Sequence, residues 1–592
     1  MRRRGVFGYN LPPQVGDNVR PADFSIVGMI GLFARRFDEL IQINQPGEIS
    51  TKLGGYITSG KGRYVLENMF TNAKGQPMTV WVKTFVAGNA VNATRTIQDQ
   101  NGTPDDAFKI QAGYQGKLDK SSDGNKTGFT LTNGARFETK ALANASSGQK
   151  VLRLVSVADI RIGDVLFVNS TSDQYCKVES IDASTNSVTM VDNLTQTVTA
   201  DDVVQAIGFQ IKTYRKNQNG VETVVNTPLN NVWLSLEVEN EEFYIETAFR
   251  NHPYFVLDDL NSASTLEDKY PADVTTVTYL TGGSDGTAPS TASDWNLYST
   301  FDSKNIRWLF NPESTLETVN KAGESYCSTR LDAPVWIYTT PSGQSKDELK
   351  TIGASYQRSD QVQGVICSSS RNVVDPIGVG ANPTKSIPVS GAIIGAWVRA
   401  FYTLGFHRAP AGDDVPLLGF VSTPDATEDT FTEDERTEIQ ERGVNIVQQL
   451  SGRGLLVRSF RTPSTNVGAL FGHYLVMQNF LKVSSVESLY KVENRPNKIT
   501  RLKTYGQAIE DFGRKLYKGS FPFGIDPDGA FQTYIKEDGS LSGFEDVFTV
   551  QVDEFNNPQE QIDVGEGNAF VRFYPASLLE SFGIGVGTRF PV

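Results

Sequence analysis

Three histidines are the only imidazoles in this 592-residue chain, and they are scattered: His252 in NHPY, His407 in FHRAPAG and His473 in FGHYL. Metal binding or proton transfer needs an imidazole oriented by a second group. None of the three has such a neighbour at ligand spacing, so they read as turn and packing residues. Cys176, Cys327 and Cys367 are odd in number and widely spaced. That argues against a disulfide framework and for assembly in a reducing cytosol. The CSSS run at Cys367 closes a strand-like VQGVICSS, where cysteine packs more often than it attacks. Asp526-Pro527-Asp528-Gly529 opens like a calcium loop, but Phe531 stands where that loop needs its glycine, so a turn is expected. Gly378-Val379-Gly380, Gly452-Arg453-Gly454 and the glycines of Gly583–Gly587 lack the Lys-Ser/Thr that completes a phosphate cradle. No catalytic, cofactor or metal site is predicted.

The elements that would carry any site span several domains, because 592 residues exceed what one core can organise. Lys plus Arg number 55 against 68 Asp plus Glu, a net charge of −13. An acidic chain repels phosphate backbones, so no direct nucleic-acid contact is expected. No run reaches the ~18 apolar residues of a membrane span, and no secretory h-region follows Arg2-Arg3-Arg4. Membrane insertion is not expected.

Residues 1–20, with Pro12-Pro13 and few apolar side chains, read as an extended N-terminal arm. Residues 21–95 alternate strand and helix signals. From 96 to 285 the chain turns rich in Thr, Val, Asn and Gly, with short strands FKIQAG, GFTLTN, FQIKTYR, VWLSLEV, FYIETAF and VTTVTYL. An inserted all-β domain is predicted there, with a nested β-module at about 146–208. Residues 296–490 alternate strands (IRWLFN, APVWIYTTP, VQGVICSS) with helices, the pattern of an α/β layer. STNVGALFGHYLVMQNFLKV adds a helix with Val467, Leu470, Phe471, Tyr474, Met477 and Leu481 on one face. Residues 491–592 form a C-terminal subdomain ending in the strand FVRFY and the tail FGIGVGTRFPV. The predicted fold class is multidomain α+β: a mixed α/β core, a large inserted all-β domain and extended terminal arms.

The most specific pattern runs from Pro388 to Arg461. PVSGAIIGAWVRAFYTLG spaces Gly391 and Gly395, and Ala392, Ala396 and Ala400, four apart. On a helix this makes a flat face where another backbone can lie close. The run breaks at Gly405 into FHRAPAG, containing Ala409-Pro410-Ala411. TEDERTEIQERGVNIVQQLSG then reads as one helix, opened by a Thr432/Glu435 capping box and striped by Ile439, Ile446, Val447 and Leu450. Gly443 and Asn445 lie within it; Gly454 leads into the strand LLVRSF, ending at Arg461-Thr462. In this order the pieces resemble the core of tail sheath proteins, the contractile sleeve of phage tails and related injection machines. His407 replaces the tryptophan, and Gly412 the asparagine, common around the Ala-Pro-Ala. The resemblance extends to RPADFSIVGMIGLFARR, QPGEISTKLGGY, the VWV strand, the glycine-rich Thr278–Trp295 junction and FVRFYPASLLESF.

The resemblance implies a structural subunit and no enzyme: a helical stack of six-membered rings around a tail tube protein, ending at baseplate and tail terminator proteins. It implies assembly in the host cytoplasm, residence in the virion tail of a bacteriophage, and contraction that drives the tube through an envelope for genome ejection. It also implies strands exchanged between subunits. Val6, Phe7 and Tyr9 in the arm, and Phe582, Ile584 and Val586 in the tail, alternate as such edges would. Two other readings stay open: an α/β hydrolase-like enzyme with a β accessory domain, and an adhesin-like β protein.

Overall fold

The computed structural model describes residues 19–100, 103–170, 172–260, 265–266, 270–368, 370–421, 427–489, 496–519 and 529–577. The N-terminal part holds strand β1 (Ile26–Gly31), strand β2 (Ile41–Ile43), helices α1 (Ile49–Leu53) and α2 (Gly62–Ala73), and strand β3 (Thr79–Thr84). β1 and β3 are parallel, as a strand–helix–strand crossover requires.

Strands next dominate. They are β4 (Thr94–Gln98), β5 (Asp106–Tyr114), β6 (Lys117–Leu118), β7 (Thr127–Lys140), β8 (Val151–Arg153), β9 (Val165–Asn169) and β10 (Gln174–Asp182). After β11 (Ser187–Met190), β12 (Val203–Lys216) and β13 (Glu222–Val224) come helix α3 (Ile245–Phe249) and strands β14 (Phe255–Asp259) and β15 (Val274–Tyr279). One sheet runs β15-β7-β12-β9-β10-β11-β8, another β14-β5-β4. The 14-residue strands β7 and β12 pair along their whole lengths, with a bulge between Ala206 and Ile207. On one side of that bulge Phe129, Leu131, Phe209 and Ile211 enter an apolar cluster with β5 and β14. On the other side Val204 and Ala206 join a separate cluster with β8 to β11. The outer cluster is wrapped by a closing sheet, since Ala141, just past β7, bridges Leu154, just past β8.

Two predicted strands take other forms here. FYIETAF becomes α3, because Ile245 and Phe249, four apart, are both buried on one helical face. VWLSLEV makes only isolated bridges, Leu234 to Phe209 and Ser235 to Tyr244.

The second half alternates as expected: β16 (Trp308–Phe310), α4 (Glu317–Thr329), β17 (Val335–Thr339), α5 (Lys346–Tyr356) and β18 (Gly364–Ser368). A hairpin of β19 (Ser370–Val374) and β20 (Thr384–Pro388) leads into α6 (Ser390–Thr403). Then come α7 (Glu433–Gln440), β21 (Val444–Leu450), β22 (Gly454–Val457), α8 (Gly472–Leu489) and α9 (Ile499–Tyr517). Last are α10 (Phe544–Val547), β23 (Phe548–Gln551), α11 (Gln559–Asp563) and β24 (Phe570–Phe573).

The central sheet runs β2-β3-β1-β16-β17-β18-β21-β22, parallel except at its two edge strands. Its inner strands are apolar on both faces; every residue of β17 and β18 is buried. Helices cover both sides, as such strands require. α2, α6 and α8 pack on one face, and α4, α5 and α7 on the other.

The long helix expected from Thr432 stops at Gln440. Its capping box is present, but Gly443 takes φ +78° and turns the chain. Val444, Ile446 and Val447 then enter the sheet, where β-branched side chains fit best. The stripe of Ile439, Ile446, Val447 and Leu450 therefore belongs to two elements. α8 likewise starts at Gly472, later than expected, leaving Val467 79% exposed in the preceding turn.

Candidate functional site

The chemistry-bearing residues are dispersed in packing positions. His252 is buried beside Phe249 and Phe255; its Nδ1 accepts from the amides of Tyr254 and Phe255 at 3.2 and 2.9 Å. Burial, with Arg35 nearby, pulls its pKa down to about 3, so the ring is neutral at physiological pH. His473 is buried in α8 and donates from Nε2 to the Ala576 carbonyl at 2.9 Å. All three cysteines are buried, and burial raises each thiol pKa. Among the described residues no three His, Cys, Asp or Glu side chains gather as metal ligands, and no helix is long and apolar enough to cross a membrane. Gly378 and Gly380 lie at the tip of the β19–β20 hairpin, and Gly452 in the β21–β22 turn, with Gly454 opening β22.

The small-residue run forms α6, buried from Ser390 to Phe401. Gly391 and Gly395 face α2. A methyl group on Gly391 would lie 2.4 Å from Val65 Cγ1, and one on Gly395 only 2.1 Å from the Met69 carbonyl oxygen. Glycine is thus demanded by backbone contact between the two helices. The N-terminus of α2 is itself tied down by Glu313, whose carboxylate accepts from the amides of Lys61 and Gly62 at 2.9 and 2.6 Å. Burial pushes the Glu313 pKa up against those donors.

The remaining motif residues fall in two places. Gly405 has φ +123° and ends α6 in a turn, after which Ala409 and Pro410 are buried and Ala411 packs at the core's margin. The Gly412 amide donates to the Val457 carbonyl of β22, the strand Gly454 begins. Gly443, Asn445 and Arg461 meet separately. Asn445, fully buried, donates to the carbonyls of Ile366 (2.9 Å) and Arg461 (2.7 Å) and accepts from the Arg461 amide (2.6 Å). It stitches β18, β21 and the segment past β22. A side chain at Gly443 would strike Thr462 and Pro463 at 2.5 Å. The Arg461 guanidinium lies over the Phe471 ring.

One junction had no signal strong enough for prediction. Arg35, 1% exposed, pairs with Asp119 at 2.9 Å and donates to the carbonyls of Thr51, Gly113 and Pro253. Arg36 reaches Asp285 in the glycine-rich return at 3.3 Å. These two arginines join the central sheet to the β-rich half. Two consecutive arginines inside the apolar run GLFARRF were the only hint.

The predicted edge residues Val6, Phe7, Tyr9, Phe582, Ile584 and Val586 lie outside the described residues. The chain next to them is placed. The Arg20 and Ala22 amides donate to Ser488 and Ser484 of α8 at 2.7 and 3.0 Å. At the other end Ala576 is held by His473 of the same helix. Between α8 and β24 lies an apolar recess of about 410 Å³. β23 and β24 form a sheet of two strands only, among the described residues.

This architecture recurs in solved structures. The sheath tail protein Lin1278 from Listeria innocua matches with a TM-score of 0.50, over 94% of this chain and 97% of its own, at 12% identity. The chain has the fold of a tail sheath protein. Other sheath structures match more loosely. DSY3957 from Desulfitobacterium hafniense gives a TM-score of 0.44 at 11% identity, over 90% of this chain and 91% of its own. The PVC sheath complex, an extracellular contractile injection system in its contracted state, gives 0.39 at 16% identity, over 48% and 70%. No family model and no curated protein matches the sequence.

Proposed function

We propose that this chain is the repeating subunit of a contractile tail sheath, a structural protein and not an enzyme. The sheath fold shared along nearly the full length of both chains carries this reading; it is an argument from fold, joined to the motif order in the sequence. Copies would stack as six-membered rings around a tail tube, between baseplate and tail terminator proteins, in a bacteriophage virion assembled in the host cytoplasm. Contraction would draw on contacts between subunits, with no nucleotide consumed, and drive the tube through the envelope for genome ejection.

In this reading residues 21–95 with 296–592 make the core and 96–285 an inserted β-domain, with 146–208 as its nested module. Residues 1–20 and the tail would each add a strand to a sheet of a neighbouring copy. The β23–β24 sheet, two-stranded among the described residues, and the seating of Arg20 and Ala576 against α8 support that exchange. Each added strand gains backbone hydrogen bonds worth about 0.5–1.5 kcal/mol apiece, a link that bends without parting. Electron microscopy of the purified chain tests the assembly: hollow tubes are expected, and a strictly monomeric protein at high concentration refutes it. Deleting residues 1–20 should leave a folded monomer that no longer polymerises, whereas loss of folding would argue against an exchanged arm.

A further inference from the structure

Phe555 stands 94% exposed in the loop between β23 and α11. That loop is braced. Asp553 Oδ1 accepts from the amides of Phe555 and Asn556 at 2.9 and 3.2 Å, and Asn556 Oδ1 accepts from the Asp553 amide at 2.9 Å. Asn557, 1% exposed, exchanges two bonds with the backbone of Asn568 at 2.6 and 2.9 Å. A backbone braced in this way has already met part of the ordering cost that binding exacts, which suits the exposed ring it carries to serve as an interface anchor.

The same subdomain holds an apolar recess that this ring does not fill. Leu481, Val486 and Leu489 of α8, Ile509 of α9, and Val571 and Phe573 of β24 line its 410 Å³. That volume lies in the range, about 300–1,000 Å³, that takes compact apolar groups. Val486 is left 57% exposed at its mouth, with the exposed Lys482 beside it. The exposed Glu554 precedes the ring. Ring and recess thus match in polarity, and their flanking charges are opposite.

We propose that Phe555 of one copy seats in the α8–β24 recess of a second copy, with Glu554 beside Lys482. The two surfaces differ, so the contact is heterologous and builds rings or helices instead of closed dimers. The charges orient the approach more than they strengthen it. The choice of partner rests on the self-assembly reading above.

Two full-length variants that keep the Phe555 ring, Glu554→Cys and Val486→Cys, are prepared separately, mixed, allowed to form tubes and treated with a short bis-maleimide. The native cysteines are buried. A covalent dimer is expected in the mixture and in neither variant alone. Phe555→Ala should raise the concentration needed for assembly on the order of tenfold. Tubes without the covalent dimer overturn the contact and leave the sheath reading standing. Coupling of Val486→Cys to Val6→Cys instead assigns the recess to the N-terminal segment and also overturns it. Failure of the unmodified chain to form tubes removes the sheath reading, and the contact with it.

Discussion

Two boundaries in this molecule are fastened by opposite means. Between α2 and α6 the chain removes side chains altogether, so that the Met69 carbonyl rests against Gly395. Between the central sheet and the β-rich half it buries a charge, Arg35, and surrounds it with Asp119 and three carbonyl groups. The first contact is short-ranged and tolerates no added atom. The second is directional and tolerates no missing partner. A helix pair inside one core can rely on shape, but two separate apolar clusters meeting at a polar seam need something that fixes angle as well as distance.

Breaking the seam should have the larger effect. Arg35→Met leaves Asp119 buried without its cation, and a loss of about 3–5 kcal/mol is expected, read from denaturant unfolding. Hydrogen exchange should locate the loosening at β5 and at the segment around Pro253. Breaking the helix contact comes next. Gly395→Ala should cost about 3 kcal/mol through forced separation of α2 and α6. Gly47→Ala, with nothing within 4 Å of the added carbon, should stay within about 0.5 kcal/mol. Equal effects at the two glycines would end the claim that contact, and not helix propensity, selects Gly395.

Asn445→Ala removes a node that uses neither pure shape nor charge, and should fall lower, at about 1–3 kcal/mol. The smallest effect concerns acid. Asp123, buried against Arg215 and Lys126, pays for its burial, yet those cations hold its pKa below the usual carboxylate value. A lowered folded pKa stabilises the fold fully above the unfolded value of about 3.9, and the gain is lost as pH falls through the folded pKa. Asp123→Asn should therefore flatten the acid limb of the stability curve; an unchanged limb would discard the pairing as a source of acid sensitivity.

The alternation of β16, α4, β17, α5 and β18 was legible because parallel strands covered on both faces read as short continuous apolar runs. The α2–α6 contact was half legible: Gly391 and Gly395 announced a close neighbour without saying which. Val444–Leu450 was misread because Ile439, Ile446, Val447 and Leu450 satisfy a helical stripe as well as a buried strand, and only Gly443 separates the two. Arg35 escaped because its partner lies 84 residues away, and no local spacing encodes a pair of that separation. Asn445 was singled out by family resemblance alone; its role as a stitch between β18 and the chain at Arg461 needed the register of three strands.

The outer β-cluster leaves and re-enters the molecule through neighbouring residues. The Ala141 amide donates to Asp202 at 2.9 Å, and Asp201 donates back to Ala141 at 2.9 Å. Residues 142–170 and 172–200 thus hang from a continuous two-stranded ladder and share their apolar interior with Val204 and Ala206 of β12. A short turn in their place would strip Val203–Ala206 of its β9 partner and uncover Val204 and Ala206, so this excursion and the end of the ladder stand or fall together.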